Sequence, residues 1–187
     1  MRECSLPLQR RAGQEWSSEL LTALLDGVER SYAVDPDRIY VTGLSMGGAG
    51  AWDLAMATPD RFAAIAPVAG WGRPADAERL ARLPVWAFHG ANDRITPLRR
   101  MEEMVEALRR CGGNVRSTVY AQSDHDCWTA TYADPELYTW FLSHTRTEQG
   151  AQPPMRRGLA DECGDMMGQV DEQGGGKAAS RGLADGR

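Results

Sequence analysis

Five residues, Gly43-Leu44-Ser45-Met46-Gly47, carry the pattern Gly-x-Ser-x-Gly between two segments of different character. A β-branched and aromatic run at 38–42 predicts a strand before them, and the small residues that follow Ser45 predict a helix. Such a strand-to-helix turn exposes one serine hydroxyl, on strained backbone, at the carboxyl end of a sheet. We therefore predict that Ser45 is a nucleophile. We also expect that a side chain at either glycine would collide with a neighbouring element.

A serine hydroxyl is a weak nucleophile until a base removes its proton, so the chain must also supply an imidazole and a group that orients it. Three histidines are available. His125 lies in a polar loop after the last predicted strand and is the preferred base. His89 closes an apolar strand, where we expect a structural role, and His144 ends the final helix, where we expect it to be solvated.

The preferred orienting acid is Asp93, in the loop that follows the strand ending at His89. Helix capping is its alternative role, but Thr96 already occupies the cap position before Pro97. Asp124 and Asp126 flank the candidate base and are second choices, because adjacent side chains usually diverge. The resulting order of serine, aspartate and histidine along the chain is that of α/β-hydrolases and differs from those of trypsin-like and subtilisin-like proteases.

Two further groups of residues are candidates for binding. Asp124, His125, Asp126 and Cys127 form an alternative metal site, but no second histidine stands at a spacing that would complete it, so we expect no metal. Trp71 follows the carboxyl end of a strand and Trp128 lies beside the candidate base. Both are therefore candidates for a substrate pocket.

Strands and helices alternate along the middle of the chain. The patterns predict strands near 39–42, 62–68, 85–88 and 115–120, and helices near 17–32, 45–57, 75–83, 97–111 and 135–144. The two central strands are almost entirely apolar, as strands covered on both faces are. We expect an α/β fold whose mostly parallel sheet carries helices on both faces.

Composition narrows the class of protein. The 187 residues are 42% apolar and 25% charged, with a net charge of −5, which suits one domain of modest size. The mild acidity and the lack of a basic stripe argue against a nucleic-acid or membrane partner. Residues 1–11 lack the apolar core of a secretory signal, so the default expectation is cytoplasmic. The Gly-rich composition of 145–187 predicts a disordered tail after a domain at 1–144.

From Trp16 to about Leu142 the chain resembles the peptidase and esterase branch of the α/β-hydrolases, which includes dienelactone hydrolases, feruloyl esterases and phospholipase/carboxylesterases. The resemblance rests on VDPDRIYVTGLSMGG at 34–48, PVWAFHGAND at 84–93 and HDCW at 125–128. It implies that Ser45 is the nucleophile, Asp93 the orienting acid and His125 the base. It also implies that the Met46 backbone N–H is an oxyanion donor, and that small-molecule or polysaccharide esters, thioesters or peptides are cleaved without a cofactor.

The resemblance also raises an expectation about the front of the chain. Residues 1–14 are too short to contain the strands that precede this region in those enzymes, so we expect a partial α/β-hydrolase fold whose amino-terminal strands and second oxyanion donor are missing. The strand at 39–42 would then be an exposed edge, open to self-association. An alternative is an inactive remnant that binds or oligomerises through that edge. A flavodoxin-like or nucleotide-binding domain is disfavoured. The sequence has no Gly-x-x-x-x-Gly-Lys-Ser/Thr loop, and the glycines at 43–50 lack the Rossmann spacing.

Overall fold

A computed structural model describes residues 16–146. Its strands are β1 (Tyr40–Leu44), β2 (Ala64–Val68), β3 (Val85–Gly90) and β4 (Val115–Tyr120). Its α-helices are α1 (Ser18–Ser31), α2 (Met46–Ala57), α3 (Leu98–Arg110), α4 (Trp128–Ala133) and α5 (Pro135–Leu142). Two 3-10 helices, Pro59–Arg61 and Pro74–Leu80, precede β2 and β3.

The four strands form one parallel sheet in the order β1-β2-β3-β4. Leu44 at the end of β1 lies opposite Val68 at the end of β2, and Gly90 at the end of β3 lies opposite Tyr120 at the end of β4. The loops that leave the carboxyl ends of the strands therefore share one edge of the sheet.

Helices cover both faces of the sheet, as predicted. On one face, α2 and α3 pack on Ile65, Val85 and Ala87 through a core that includes Trp52 and Met104. On the other face, α5 and the aromatic side chains of α4 pack against alternate residues of β2 and β3; this core contains Ala64, Ala66, Val68, Trp86, Phe88, Leu137 and Phe141. The two central strands are buried throughout, which is why they read as continuous apolar runs.

Several element boundaries differ from the sequence expectation. The segment predicted as a helix at 75–83 is a 3-10 helix, and the short helix α4 was not anticipated. In α1, Leu21 and Leu25 pack partly against the core, but Leu20 and Leu24 are 67% and 64% exposed. One narrow face of α1, which carries Leu21 and Leu25, therefore meets the core.

Some expectations reach beyond the described residues. The predicted tail lies outside them from 147 onward, while Arg146 is in place and its side chain pairs with Asp37 at 3.2 Å. Among the residues described, β1 has a hydrogen-bonded neighbour strand on one side only. Self-association of the protein through the other side of β1 stays a prediction. No helix between 16 and 146 is long and apolar enough to cross a membrane.

The strand-to-helix turn is packed against its neighbours at two glycines. A Cβ on Gly43 would overlap the carbonyl of Gly47, as expected. A Cβ on Gly47 itself would meet no described atom within 4 Å, so the expectation of a collision there was wrong. The close approach falls one residue later, at Gly48, where a Cβ would lie 2.5 Å from the carbonyl oxygen of Val68.

This contrast can be tested with two neighbouring substitutions in the same helical turn. Gly48→Ala should lower the free energy of unfolding by about 1 to 3 kcal/mol, because α2 must move away from β2. Gly47→Ala is the matched control and should change it by no more than about 1 kcal/mol, since alanine favours the helix and finds open space. Urea unfolding of both variants measures the difference. Equal effects of the two substitutions would contradict this account of the turn.

Candidate active site

Ser45 occupies the turn between β1 and α2 with an unusual backbone. Its φ of 53° and ψ of −119° lie in a region that non-glycine residues rarely adopt. The Ser45 N–H donates to the Val68 carbonyl at 2.9 Å, and the Ser45 carbonyl accepts from Ala49 at 3.1 Å. Both neighbouring elements thus hold the strained residue, and its side chain emerges at the carboxyl edge of the sheet.

The imidazole of His125 bridges Ser45 and Asp93. Its Nε2 lies 2.8 Å from Ser45 Oγ, and its Nδ1 lies 2.8 Å from Asp93 Oδ2. A carboxylate accepts hydrogen bonds only, so Nδ1 carries the proton and the lone pair of Nε2 faces the serine hydroxyl. The side chain of His125 is 15% exposed, which leaves the arrangement accessible from one side.

Asp93 is held from two directions. Its Oδ2 accepts from His125, while its Oδ1 accepts from the backbone N–H groups of Ile95 and Thr96, both at 2.8 Å. Burial by itself would raise the pKa of this carboxyl, but the hydrogen bonds from His125, Thr96 and Ile95 outweigh it and hold the pKa below its usual range. The site therefore contains an ionised acid with a fixed orientation.

The capping argument made from the sequence was wrong in one respect. The structure has no side-chain cap at the start of α3, and Thr96 offers its backbone N–H to Asp93 instead. Asp93 thus combines the two roles that the sequence had set against each other: one oxygen closes the turn before α3 and the other meets His125.

The second-choice acids have other partners. Asp124 is exposed and accepts from the backbone of Asp126 at 3.3 Å. Asp126 accepts from the backbone and hydroxyl of Thr129 at the start of α4. The two side chains that flank His125 along the chain are thus engaged with the backbone of their own loop and of α4.

The other histidines lie in different surroundings. His144 bonds the Trp140 carbonyl at 2.7 Å at the end of α5, so it is half-buried rather than solvated. His89 is fully buried at the end of β3, with its Nε2 only 3.3 Å from Asp93 Oδ2. From the sequence we expected a structural role for His89, and its proximity to Asp93 was not predicted. The available signal was that His89 and Asp93 bracket the same short loop.

Cys127 was the thiol of the alternative metal site. It is fully buried, and this burial raises the pKa of its thiol to about 11. A protonated, enclosed thiol is a poor metal ligand. Among residues 16–146, no group of three His, Cys, Asp or Glu side chains could hold a metal ion.

The remaining candidates lie around this arrangement. Met46 begins α2, so its backbone N–H belongs to the first turn, where no intrahelical acceptor exists. Trp128 packs edge-to-face on His125 with ring centroids 5.2 Å apart. The ring of Trp71 lies 5.6 Å from the guanidinium of Arg100. Within the described part of the chain, ring contacts thus join Trp128, but not Trp71, to the histidine.

Comparison with known proteins identifies the family. A family model described as phospholipase/carboxylesterase matches residues 6–136, more than half of the chain. The chain belongs to this phospholipase/carboxylesterase family. The resemblance to the esterase and peptidase branch of the α/β-hydrolases is thereby confirmed, and the parallel sheet agrees with a partial α/β-hydrolase fold.

Two relatives of this family member are described as esterases, and a third protein shares its fold. The bifunctional acetylxylan esterase/xylanase XynS20E of Neocallimastix patriciarum is 23% identical over 166 residues, which are 82% of this chain and 23% of that protein. The crystal structure of a thermostable esterase matches at 32% identity with a TM-score of 0.64, over 68% of this chain and 36% of that one. Arabidopsis thaliana SOBER1, at 18% identity, shares the fold with a TM-score of 0.57, over 67% of this chain and 61% of that one.

These matches cover less than two thirds of each relative's own length. The family and the parallel sheet place this chain among the α/β-hydrolases.

The lowered pKa of Asp93 leads to a test by pH. A carboxyl whose pKa is lower in the folded than in the unfolded state stabilises the fold above its unfolded pKa, which is about 4. This contribution is lost as the pH falls through the lower, folded value. Asp93→Asn should therefore cost most stability above about pH 4, and the difference from wild type should shrink at lower pH.

Urea unfolding of both proteins between pH 3 and 6 measures this difference. Glu102→Gln, which removes an exposed carboxylate on α3, is the matched control. A wild-type to Asp93→Asn difference that does not change with pH would contradict the lowered pKa.

Proposed function

We propose that this chain hydrolyses carboxylic esters through an acyl-enzyme on Ser45, with His125 as general base and Asp93 as the orienting acid. The observation that carries the proposal is the continuous contact from Ser45 Oγ through the imidazole to Asp93 Oδ2, with both distances at 2.8 Å. An acid, a base and a nucleophile linked in this order are what acyl transfer requires. The strained backbone of Ser45 adds support, because such strain gathers at functional sites.

In the first half of the reaction, Ser45 Oγ attacks the ester carbonyl while Nε2 of His125 takes the hydroxyl proton. The negative carboxylate of Asp93 stabilises the imidazolium that forms and keeps its Nδ1 proton directed inward. When the tetrahedral intermediate collapses, the bond to the leaving alcohol breaks and the imidazolium returns the proton to that oxygen. In the second half, water attacks the acyl carbon while Nε2 of His125 takes a proton from it. The acyl C–O bond to Ser45 then breaks, the imidazolium returns the proton to Ser45 Oγ, and the carboxylic acid is released.

The Met46 backbone N–H is our candidate for stabilising the oxyanion. It follows the nucleophile directly and lies at the amino end of α2, where the helix dipole also favours negative charge. Loss of one oxyanion donor typically lowers turnover by roughly 100- to 1000-fold. The contribution of this single N–H is therefore large enough to matter even before other donors are considered.

The family and the names of relatives guide the choice of substrates. We propose carboxylic esters of small molecules or polysaccharides, with thioesters and peptides as further acyl donors. An acetyl ester is a reasonable first probe, because the Neocallimastix relative is described as an acetylxylan esterase. The half-buried rings of Trp128 and Trp71 are proposed to line the acyl or alcohol pocket.

A fluorophosphonate tests the nucleophile without knowledge of the substrate. We expect the folded protein to gain the mass of one adduct, because the activated hydroxyl of Ser45 attacks phosphorus as it would a carbonyl. Ser45→Ala should abolish the adduct, and His125→Ala should slow its formation by about 1000-fold or more. Intact mass spectrometry over time measures both effects.

Ser143→Ala is the matched control, since it removes an exposed hydroxyl at the end of α5 and should label as wild type does. Far-UV circular dichroism must show that all variants are folded. A folded wild type that remains unlabelled would contradict the proposed activity. Labelling that survives Ser45→Ala would instead place the nucleophile elsewhere.

The pocket assignment has its own test. Trp128→Ala should raise KM for p-nitrophenyl octanoate by roughly tenfold, because the lost apolar contact is worth about 1.5 kcal/mol. Acetate esters should be less affected, since they reach less of the pocket. Trp140→Phe, near the amino end of the sheet, is the control for a general aromatic change. Equal effects of Trp128→Ala on both esters would argue against a pocket role.

A further inference from the structure

His89 is a fully buried polar side chain outside the proposed Ser45–His125–Asp93 arrangement, at the end of β3. Its Nε2 lies 2.8 Å from the Thr96 carbonyl oxygen and 3.3 Å from Asp93 Oδ2. Its Nδ1 is buried and has no hydrogen-bond partner among the described residues. The polar contacts of this side chain thus all fall within the loop that carries the orienting acid.

The hydrogen bond to Thr96 identifies the tautomer of His89. A backbone carbonyl only accepts, so the proton lies on Nε2 and Nδ1 carries a lone pair. A buried lone pair without a donor is unfavourable, and an apolar side chain of similar size would avoid that cost. Packing alone therefore does not account for an imidazole at this position.

Thr96 links His89 to the acid. The backbone N–H of Thr96 donates to Asp93 Oδ1, and the backbone carbonyl of the same residue accepts from His89. Thr96 is itself only 4% exposed, so its carbonyl has little access to water as a substitute partner. Without His89, the Thr96 carbonyl, in the turn that binds Oδ1, would lose its hydrogen bond to β3.

We propose that His89 is a positioning residue for Asp93. Its Nε2–H donates to the Thr96 carbonyl, which holds the turn at 93–96 (the Thr96 turn) and so fixes the carboxylate that orients His125. His89 touches neither the serine nor the space where substrate would lie, and it exchanges no proton in the reaction. This inference rests on the proposed function of Ser45, His125 and Asp93.

The test compares two replacements of His89. His89→Gln carries an amide N–H at the reach of Nε2, whereas His89→Leu fills the space without a donor. We expect His89→Gln to react with a fluorophosphonate at close to the wild-type rate. His89→Leu should react about 10- to 100-fold more slowly, as expected when a catalytic group is displaced by a fraction of an ångström to one ångström.

Phe88→Leu is the matched control for lost packing in the same strand. Phe88 is equally buried, but it faces the opposite core. We expect it to lower the free energy of unfolding while leaving the rate of labelling of the folded protein close to wild type. Equal rates for His89→Leu and wild type, with both folded, would overturn the inference.

A second measurement does not depend on activity. In protein labelled with ¹⁵N-histidine, long-range ¹H–¹⁵N spectra report the tautomer of each imidazole, and the His125 Nδ1 proton reports its bond to Asp93. We expect the proton of His89 on Nε2. We also expect the His125 Nδ1 proton resonance to move upfield or broaden in His89→Leu but not in His89→Gln.

The two measurements separate the possible failures. A wild type that is not labelled, but whose His125 resonance responds to His89→Leu, would overturn the proposed function and retain the positioning role. A wild-type His89 protonated on Nδ1 would overturn the positioning role even if the leucine variant failed to fold.

Discussion

Parallel pairing of the four strands is the constraint on which the site depends. Because β1 to β4 run in the same direction, their carboxyl ends and the loops that follow lie along one edge of the sheet. Ser45 follows β1, Asp93 follows β3 and His125 follows β4, so residues as far as 80 positions apart in sequence come within hydrogen-bond distance. The two cores that clamp helices onto both faces keep this edge in register.

A buried carboxylate is costly unless donors surround it, and the loop after β3 is built to supply them. Ile95 and Thr96 bond one oxygen of Asp93, and His125 bonds the other. This division explains how a short loop can both begin α3 and hold an acid for its neighbour. The Thr96 turn is itself held by His89 at the end of β3, whose imidazole bonds the Thr96 carbonyl.

The elbow at Ser45 stores strain that its surroundings must hold in place. Here the close contact is made by Gly43 against the Gly47 carbonyl and by Gly48 against β2. Gly47, the second glycine of the Gly-x-Ser-x-Gly pattern, thus contributes the carbonyl that Gly43 contacts. Gly48, the residue after it, lets α2 approach the sheet. The pattern marks the turn correctly, but the steric need lies partly outside it.

The sequence by itself determined the order of strands and helices, the parallel sheet with helices on both faces, and the strand-turn-helix at Ser45. These features follow from local periodicity and turn chemistry, which are readable within a dozen residues. It also singled out Asp93 and His125 as residues of loops after strands. The helix predicted at 75–83 is a 3-10 helix, and α4 was not predicted. Short helices are stabilised by the elements they pack against more than by their own residues.

Only the tertiary structure decided which acid meets the imidazole. Asp93, Asp124 and Asp126 are chemically alike. Which of them contacts His125 depends on packing between loops that lie far apart in the chain. The same holds for the glycine that contacts β2 and for the place of His89 beneath the Thr96 turn. Contacts of this kind depend on ångström-scale distances between separate elements, and such distances leave no periodic trace in a single sequence.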